Sequence, residues 1–134
     1  MQTFPLEIYA TDKTAYKGPC ELMTIPATDG EYGIMALHEP VVVAIVSGEL
    51  RYTVNGETTI LAVGNGFVEV TENEVFVIVD FAERADEIDL IRAEAAAKRA
   101  EEKLRAKRDA IAVAHAEAAL ARAITRIRVA GRKI

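Results

Sequence analysis

The stretch Leu50-Arg51-Tyr52-Thr53-Val54-Asn55-Gly56-Glu57-Thr58-Thr59-Ile60-Leu61-Ala62-Val63 decides the fold of the first part of the chain. A type I′ turn needs positive φ at both central positions, which Asn and Gly adopt most readily. The runs Leu50 to Val54 and Thr58 to Val63 therefore fold back on each other as an antiparallel hairpin. The same grammar continues on both sides. Upstream lie the apolar or alternating runs Leu6 to Ala10, Glu21 to Pro26, Tyr32 to Met35 and Val41 to Val46, separated by Lys17-Gly18-Pro19, Asp29-Gly30 and Ser47-Gly48. Downstream lie Phe67 to Thr71 and Val75 to Val79, set off by Gly64-Asn65-Gly66 and Glu72-Asn73. Short strands recurring at roughly 8 to 10 residues predict an antiparallel β-sandwich or barrel.

The grammar stops near residue 87. All eight aromatics lie before residue 82, all four prolines before residue 41, and no glycine occurs between Gly66 and Gly131. Charge breaks at the same place, with 4 basic and 15 acidic side chains in residues 1 to 87 against 12 and 6 in residues 88 to 134. Fifteen of the last 47 residues are alanine, and Ala, Glu, Lys and Arg are the best helix formers. Leu90, Ala93, Ala97, Ala100 and Leu104, then Val113, Ala116, Leu120, Ala123, Ile127, Ala130 and Ile134, recur at spacings of three and four, the pattern of a helix seam. Lys107-Arg108-Asp109 is the most polar place to turn, so two antiparallel helices joined near residue 109 are expected. No breaker stands there, and one continuous helix is a second state open to the chain. The fold class is thus α+β: a β-sandwich unit over 1–85 and an α-helical hairpin over 86–134.

These features exclude several function classes. No apolar run approaches the roughly 18 residues of a membrane span, and the opening Met1-Gln2-Thr3-Phe4-Pro5 has neither a basic nor an apolar leader region, so no membrane insertion is expected. The single cysteine, Cys20, allows no internal disulfide and no multi-cysteine metal cluster. His38 and His115 lack partners at metal-ligand spacing, and no paired acid and base, nucleophile or phosphate loop stands out, so neither a catalytic residue nor a metal site is assigned. Nucleic acid is disfavoured as a partner, because the basic half carries no aromatic side chain for base stacking and the acidic half would repel the backbone.

The arginines carry more information. Arg92 and Arg99 lie on one face of the first helix, Arg122 and Arg126 on one face of the second. A turn near residue 109 places Arg92 level with Arg126 and Arg99 near Arg122. At an effective dielectric near 20, two such charges about 6 Å apart repel by roughly 3 kcal/mol before screening. A polyanion would convert that cost into attraction, and the planar guanidinium fork suits phosphate oxygens. Four splayed, solvated arginines with Glu101 or Glu117 as local partners are the plainer reading of the same pattern. Beyond residue 110 the chain is basic, with Arg122, Arg126, Arg128, Arg132 and Lys133 against Glu117 alone. A helix so charged, if extended, would seek an acidic partner surface.

The whole chain resembles the epsilon subunit of the bacterial F-type ATP synthase. The resemblance runs in order through Ile25-Pro26-Ala27-Thr28-Asp29-Gly30-Glu31-Tyr32-Gly33-Ile34, His38-Glu39-Pro40, Ser47-Gly48-Glu49-Leu50 and Gly64-Asn65-Gly66-Phe67-Val68-Glu69-Val70. It ends in Ile88-Asp89-Leu90-Ile91-Arg92-Ala93, which is similar to the Ile/Leu-Asp-x-x-Arg-Ala signature by which several members bind ATP. Met35-Ala36 stands where the family usually has Leu-Pro, and Asn65 where it often has Gly-Gly, both in loops.

The resemblance implies a ten-stranded sandwich seated on the gamma subunit and the ring of c subunits, at the cytoplasmic face of the bacterial membrane as a peripheral, non-catalytic subunit. It implies that the compact hairpin permits ATP hydrolysis and that the extended helices, reaching the catalytic alpha/beta head, block it. Carried over residue by residue, a regulatory ATP site would comprise Glu83, Ile88, Asp89, Arg92, Ala93, Arg99, Arg122 and Arg126. Asp89 would order Arg92 through a charge-assisted hydrogen bond three residues away, the guanidinium groups would contact phosphates, and Glu83 or backbone groups would read adenine. The acidic surface sought by Arg122, Arg126, Arg128, Arg132 and Lys133 would lie on the catalytic subunits around gamma. The rival expectation is a static stalk adaptor whose hairpin never moves.

Overall fold

The computed structural model describes residues 2–132. Ten strands come first: β1 (Phe4–Ala10), β2 (Thr14–Cys20), β3 (Leu22–Ala27), β4 (Gly30–Met35), β5 (Val41–Ile45), β6 (Gly48–Val54), β7 (Glu57–Val63), β8 (Gly66–Val70), β9 (Val75–Val79) and β10 (Ala82–Arg84). A 3₁₀ turn over Ala85–Glu87 leads into helices α1 (Leu90–Ala106) and α2 (Ala110–Ala130). The β6–β7 hairpin forms as its sequence dictates: Asn55 and Gly56 have φ of 52° and 77°, and the register runs from Val54↔Glu57 to Gly48↔Val63.

The strands follow one hydrogen-bonded path, β10-β7-β6-β3-β5-β8-β9-β1-β2, with β4 added on β3. At the β3–β5 step the ladder thins to the single pair Ala27↔Ile45, and there the sheet folds over into two layers. Their facing side chains, among them Leu6, Ile8, Met23, Ile25, Ile34, Leu50, Val68 and Val77, are fully buried.

Two strands depart from the sequence reading. Lys17-Gly18-Pro19, expected as a turn, lies inside β2. Proline is tolerated there because β2 is the edge of the sheet and β1 is its only partner. The short β10, a strand the runs did not predict, pairs with the end of the expected run Thr58 to Val63, at Leu61 to Val63. One pairing is also not antiparallel: β1 runs parallel to β9, Leu6↔Val75 through Ala10↔Val79. No short hairpin joins those two strands, so nothing local imposes the antiparallel sense.

The hairpin turns where its polar residues are. Lys107 caps α1 in the left-handed region at φ 44°, and the Asp109 carboxylate accepts the Ala112 N–H at 2.8 Å as the N-cap of α2. Ala93, Ala97 and Ala100 of α1 and Ala116 and Ala123 of α2 are buried, as the seam requires, while Leu90 is exposed. Leu104, Val113, Leu120, Ile127 and Ala130 are half-buried, and Ile134 lies outside the described residues. A second buried face of α2, Thr125 and Val129, falls off that seam. Val129 packs on Ile60, Ala62 and Phe81, with Ala85 and Ile88 at the margin, and this small cluster joins hairpin to sandwich.

Candidate functional site

The groove between α1 and α2 has a volume of about 1390 Å³, and its floor is the alanine seam, including Ala93, Ala100, Ala116 and Ala123. Alanine makes the groove possible, because larger seam residues would fill the space between the helices. Into it face Glu83, Asp89, Arg92, Ala93, Arg99, Arg122 and Arg126, seven of the eight residues expected at a nucleotide site. The eighth, Ile88, packs instead against the Val129 cluster. Placement of the four arginines along one groove follows from the turn at residues 107–109, which sets the register of the two helices.

The four are not equivalent. Arg126 is held by the sandwich: its Nε donates to Glu83 Oε1 at 2.7 Å and its Nη2 to Glu83 Oε2 at 3.4 Å. Its guanidinium carbon also lies 3.9 Å from the centre of the Phe81 ring. A two-point fork over an aromatic face is the geometry in which arginine loses least on being ordered. Arg92, Arg99 and Arg122 form no ion pair among the described residues, so neither Glu101 nor Glu117 neutralises them.

Asp89 bonds Arg92 through the backbone: its carboxylate accepts the Arg92 N–H at 3.1 Å and caps α1, so it organises the start of the helix. Glu83 likewise is engaged by Arg126. The basic tail is also less free than its composition implied, since Arg132 pairs with Glu49 at 3.0 Å in addition to the Arg126 pair. Arg128 is exposed, and Lys133 lies outside the described residues.

Several contributors were missed. Phe81, one residue before β10, carries no sequence signal of its stacking on Arg126. Ser47 Oγ and the buried Thr125 Oγ1 lie 3.0 Å apart, and Asn65 Oδ1 accepts the Ser47 N–H at 2.9 Å. A lone threonine in an Ala-, Ile- and Arg-rich helix is the one visible signal of that contact. Toward the turn the groove is also lined by Glu102, Lys103, Arg108 and His115. His38 is occupied within its loop, Nε2 3.0 Å from the Tyr32 hydroxyl and Nδ1 2.7 Å from the Glu39 carbonyl. Burial pushes the Cys20 thiol up.

Comparison with known proteins matches both halves. Residues 3–85 match the model of the ATP synthase delta/epsilon chain beta-sandwich domain, and residues 86–131 that of its long alpha-helix domain. An ATP synthase epsilon chain of Desulfitobacterium hafniense strain Y51 is 41% identical over 128 residues, 96% of each chain. One from Syntrophomonas wolfei is 42% identical over 127 residues, 94% of this chain and 93% of that one. Among solved structures, a chain of the Euglena gracilis mitochondrial ATP synthase (OSCP/F1/c-ring) shares the fold with a TM-score of 0.77 at 24% identity, covering 89% of this chain and 76% of that one. With both halves matched and identity near 41% along almost its whole length, the chain belongs to the ATP synthase delta/epsilon family and stands among its epsilon chains.

Proposed function

We propose that this non-catalytic epsilon subunit of the synthase's central stalk senses ATP with its compact hairpin and restrains ATP hydrolysis when the hairpin leaves the sandwich. The observation that carries the sensing part is the groove lined by Arg92, Arg99 and Arg122, none of which forms an ion pair among the described residues, beside an Arg126 already oriented by Glu83 and Phe81. Such a site pays for its own assembly through like-charge repulsion, which a triphosphate relieves. ATP there is a regulatory ligand. It opposes release of the hairpin by its differential affinity for the docked state.

The sandwich supplies the seat. Exposed Val42, Ala44, Phe67 and Ile78 lie across β5, β8 and β9 on one outer face, an apolar patch suited to a permanent partner. That face is assigned to the stalk, with gamma and the c ring as partners and the catalytic head as the target of the extended basic helix, through Arg122, Arg126, Arg128, Arg132 and Lys133. No helix among the described residues is long and apolar enough to cross a membrane. Peripheral attachment through these partners, on the cytoplasmic face, is the arrangement proposed.

A static adaptor is the second reading, and the docking contacts Arg126–Glu83, Arg132–Glu49 and Ser47–Thr125 favour it. Two measurements separate the readings. In calorimetric titration with ATP, Arg92→Ala is expected to bind more than tenfold more weakly than wild type, since a charge-assisted contact is worth roughly 1.5 to 3 kcal/mol and tenfold corresponds to about 1.4. Equal affinities would remove the site. In the assembled synthase, deleting the residues after 86 is expected to raise the hydrolysis rate; an unchanged rate leaves the static adaptor.

A further inference from the structure

Outside the groove, four charged side chains form an alternating row from the edge of the sandwich to the end of α2. Arg51 Nη1 lies 2.7 Å from Glu31 Oε2 and 2.6 Å from Glu49 Oε2, while the other oxygen of Glu49 takes Arg132 Nη1 at 3.0 Å. Both inner members are therefore shared. They are also the sheltered ones, with 29% and 20% of the Arg51 and Glu49 side chains exposed, whereas Glu31 and Arg132 are 59% and 54% exposed. Arg51 above all, and Arg132 more weakly from the far end, hold the Glu31 carboxyl below the usual carboxylate range.

The two ends belong to different parts of the molecule. Arg132 follows α2 directly, so its pair with Glu49 pins the helix end to β6. Glu31 stands on β4, whose only strand partner is β3, next to the Thr28-Asp29 turn. Asp29 there is exposed and acidic, and Met35 and Leu37 at the other end of β4 are 52% and 86% exposed. An open strand edge with carboxylates at one end and apolar side chains at the other fits a protein partner that presents a basic side chain beside an apolar surface.

We propose that Glu31, Arg51, Glu49 and Arg132 form an electrostatic relay by which a basic side chain of a partner docking at Glu31 loosens the seat of α2. While Glu31 holds Arg51, one oxygen of Glu49 stays committed to Arg132. When Glu31 is claimed from outside, Arg51 turns wholly to Glu49. Two guanidinium groups then compete for one carboxylate, and the hold on Arg132 weakens. The relay rests on the reading that the hairpin leaves the sandwich, and it adds an external signal for that departure.

Alternating sign is its signature. Hydrogen exchange of the intact chain, read at the amides of residues 125–131, is expected to rise about two- to fivefold in Glu31→Gln and in Glu49→Gln, the range of a partly exposed ion pair. In Arg51→Gln it is expected to fall, because Glu49 is left to Arg132 alone. Unchanged protection of the β3–β4 amides reports an intact sandwich in each variant. A tri-arginine peptide is expected to raise exchange of the same α2 amides in wild type and not in Glu31→Gln. A rise in Arg51→Gln, no change in Glu31→Gln, or an equal peptide effect on both chains would overturn the relay. None of these outcomes depends on whether extended helices inhibit hydrolysis, which the deletion assay decides separately.

Discussion

Asp89 shows how one side chain can carry two readings that differ in chemistry. Its carboxylate satisfies the Arg92 N–H at the start of α1, an N-cap worth about 1 kcal/mol, and so sets the direction from which Arg92 enters the groove. Asp89→Ala is therefore expected to weaken ATP binding about fivefold by loosening the helix start, the factor that corresponds to about 1 kcal/mol. Asp89→Asn keeps an acceptor oxygen without the charge and is expected to bind within about threefold of wild type, since Asn caps as well as Asp. Calorimetric titration of the two variants checks this. An Asn variant as weak as the Ala variant would return the role to the carboxylate charge. A bond from Asp89 to Arg92 was legible in the sequence from their three-residue spacing. That it runs to the backbone N–H and caps α1 was not, because a side chain and a backbone N–H at that spacing are equally in reach.

At the scale of elements, the hinge between sandwich and hairpin is held by Glu87. Its Oε1 accepts the Arg84 N–H at 2.9 Å and its Oε2 the Lys13 ammonium at 3.0 Å, closing the 3₁₀ turn against the loop that follows β1. The Arg84 N–H first, then Lys13, hold the Glu87 carboxyl below the ordinary glutamate range. A depressed carboxylate contributes stability that is present above its unfolded value and lost as pH falls through its folded one. Glu87→Gln should accordingly melt below wild type at neutral pH, with the gap closing below about pH 4. Thermal melts of both chains across that range test it, and a gap independent of pH would assign the turn to packing instead. The seam of α1 and α2 was readable because alanine recurs every three or four residues. The Thr125 and Val129 face was not, since it departs from that period and is buried by contact with distant parts of the sandwich, among them β7, Ser47 and Phe81.

For the molecule as a whole, docking of the hairpin is a balance of small contributions. Partly exposed ion pairs such as Arg126–Glu83 and Arg132–Glu49 contribute on the order of 0.2 to 1 kcal/mol each, and fully burying a valine such as Val129 about 1.5 to 3. Packing outweighs charge at this interface, and the total is small enough for a ligand or partner to reverse. The main core lies wholly within the strands, so a chain of residues 1–85 is expected to fold cooperatively by itself. It would expose Ile60, Ala62 and Phe81, and is expected to be less stable than the intact protein while remaining monomeric at micromolar concentration. Denaturant unfolding and sedimentation of that fragment are the measurements. Loss of a cooperative transition would show that the sandwich needs its hairpin.

The sequence by itself determined the elements whose causes are local. Asn55-Gly56 made the β6–β7 turn, alanine and charge made the helices, and Lys107-Arg108-Asp109 broke them, because turn dihedrals, propensities and caps act within a few residues. That the four arginines line one groove was readable for the same reason, as it needs only the helical period and the place of the turn. Tertiary structure alone decided what depends on distant neighbours. The parallel β1–β9 pair, the strand conformation of Lys17-Gly18-Pro19 at an edge, and the double-sided burial of Ile60-Leu61-Ala62-Val63 are of this kind. So are the partners of the basic tail: Glu49 and Glu83 lie some eighty and forty residues from the arginines they hold, and only the docked fold brings those charges within hydrogen-bonding range.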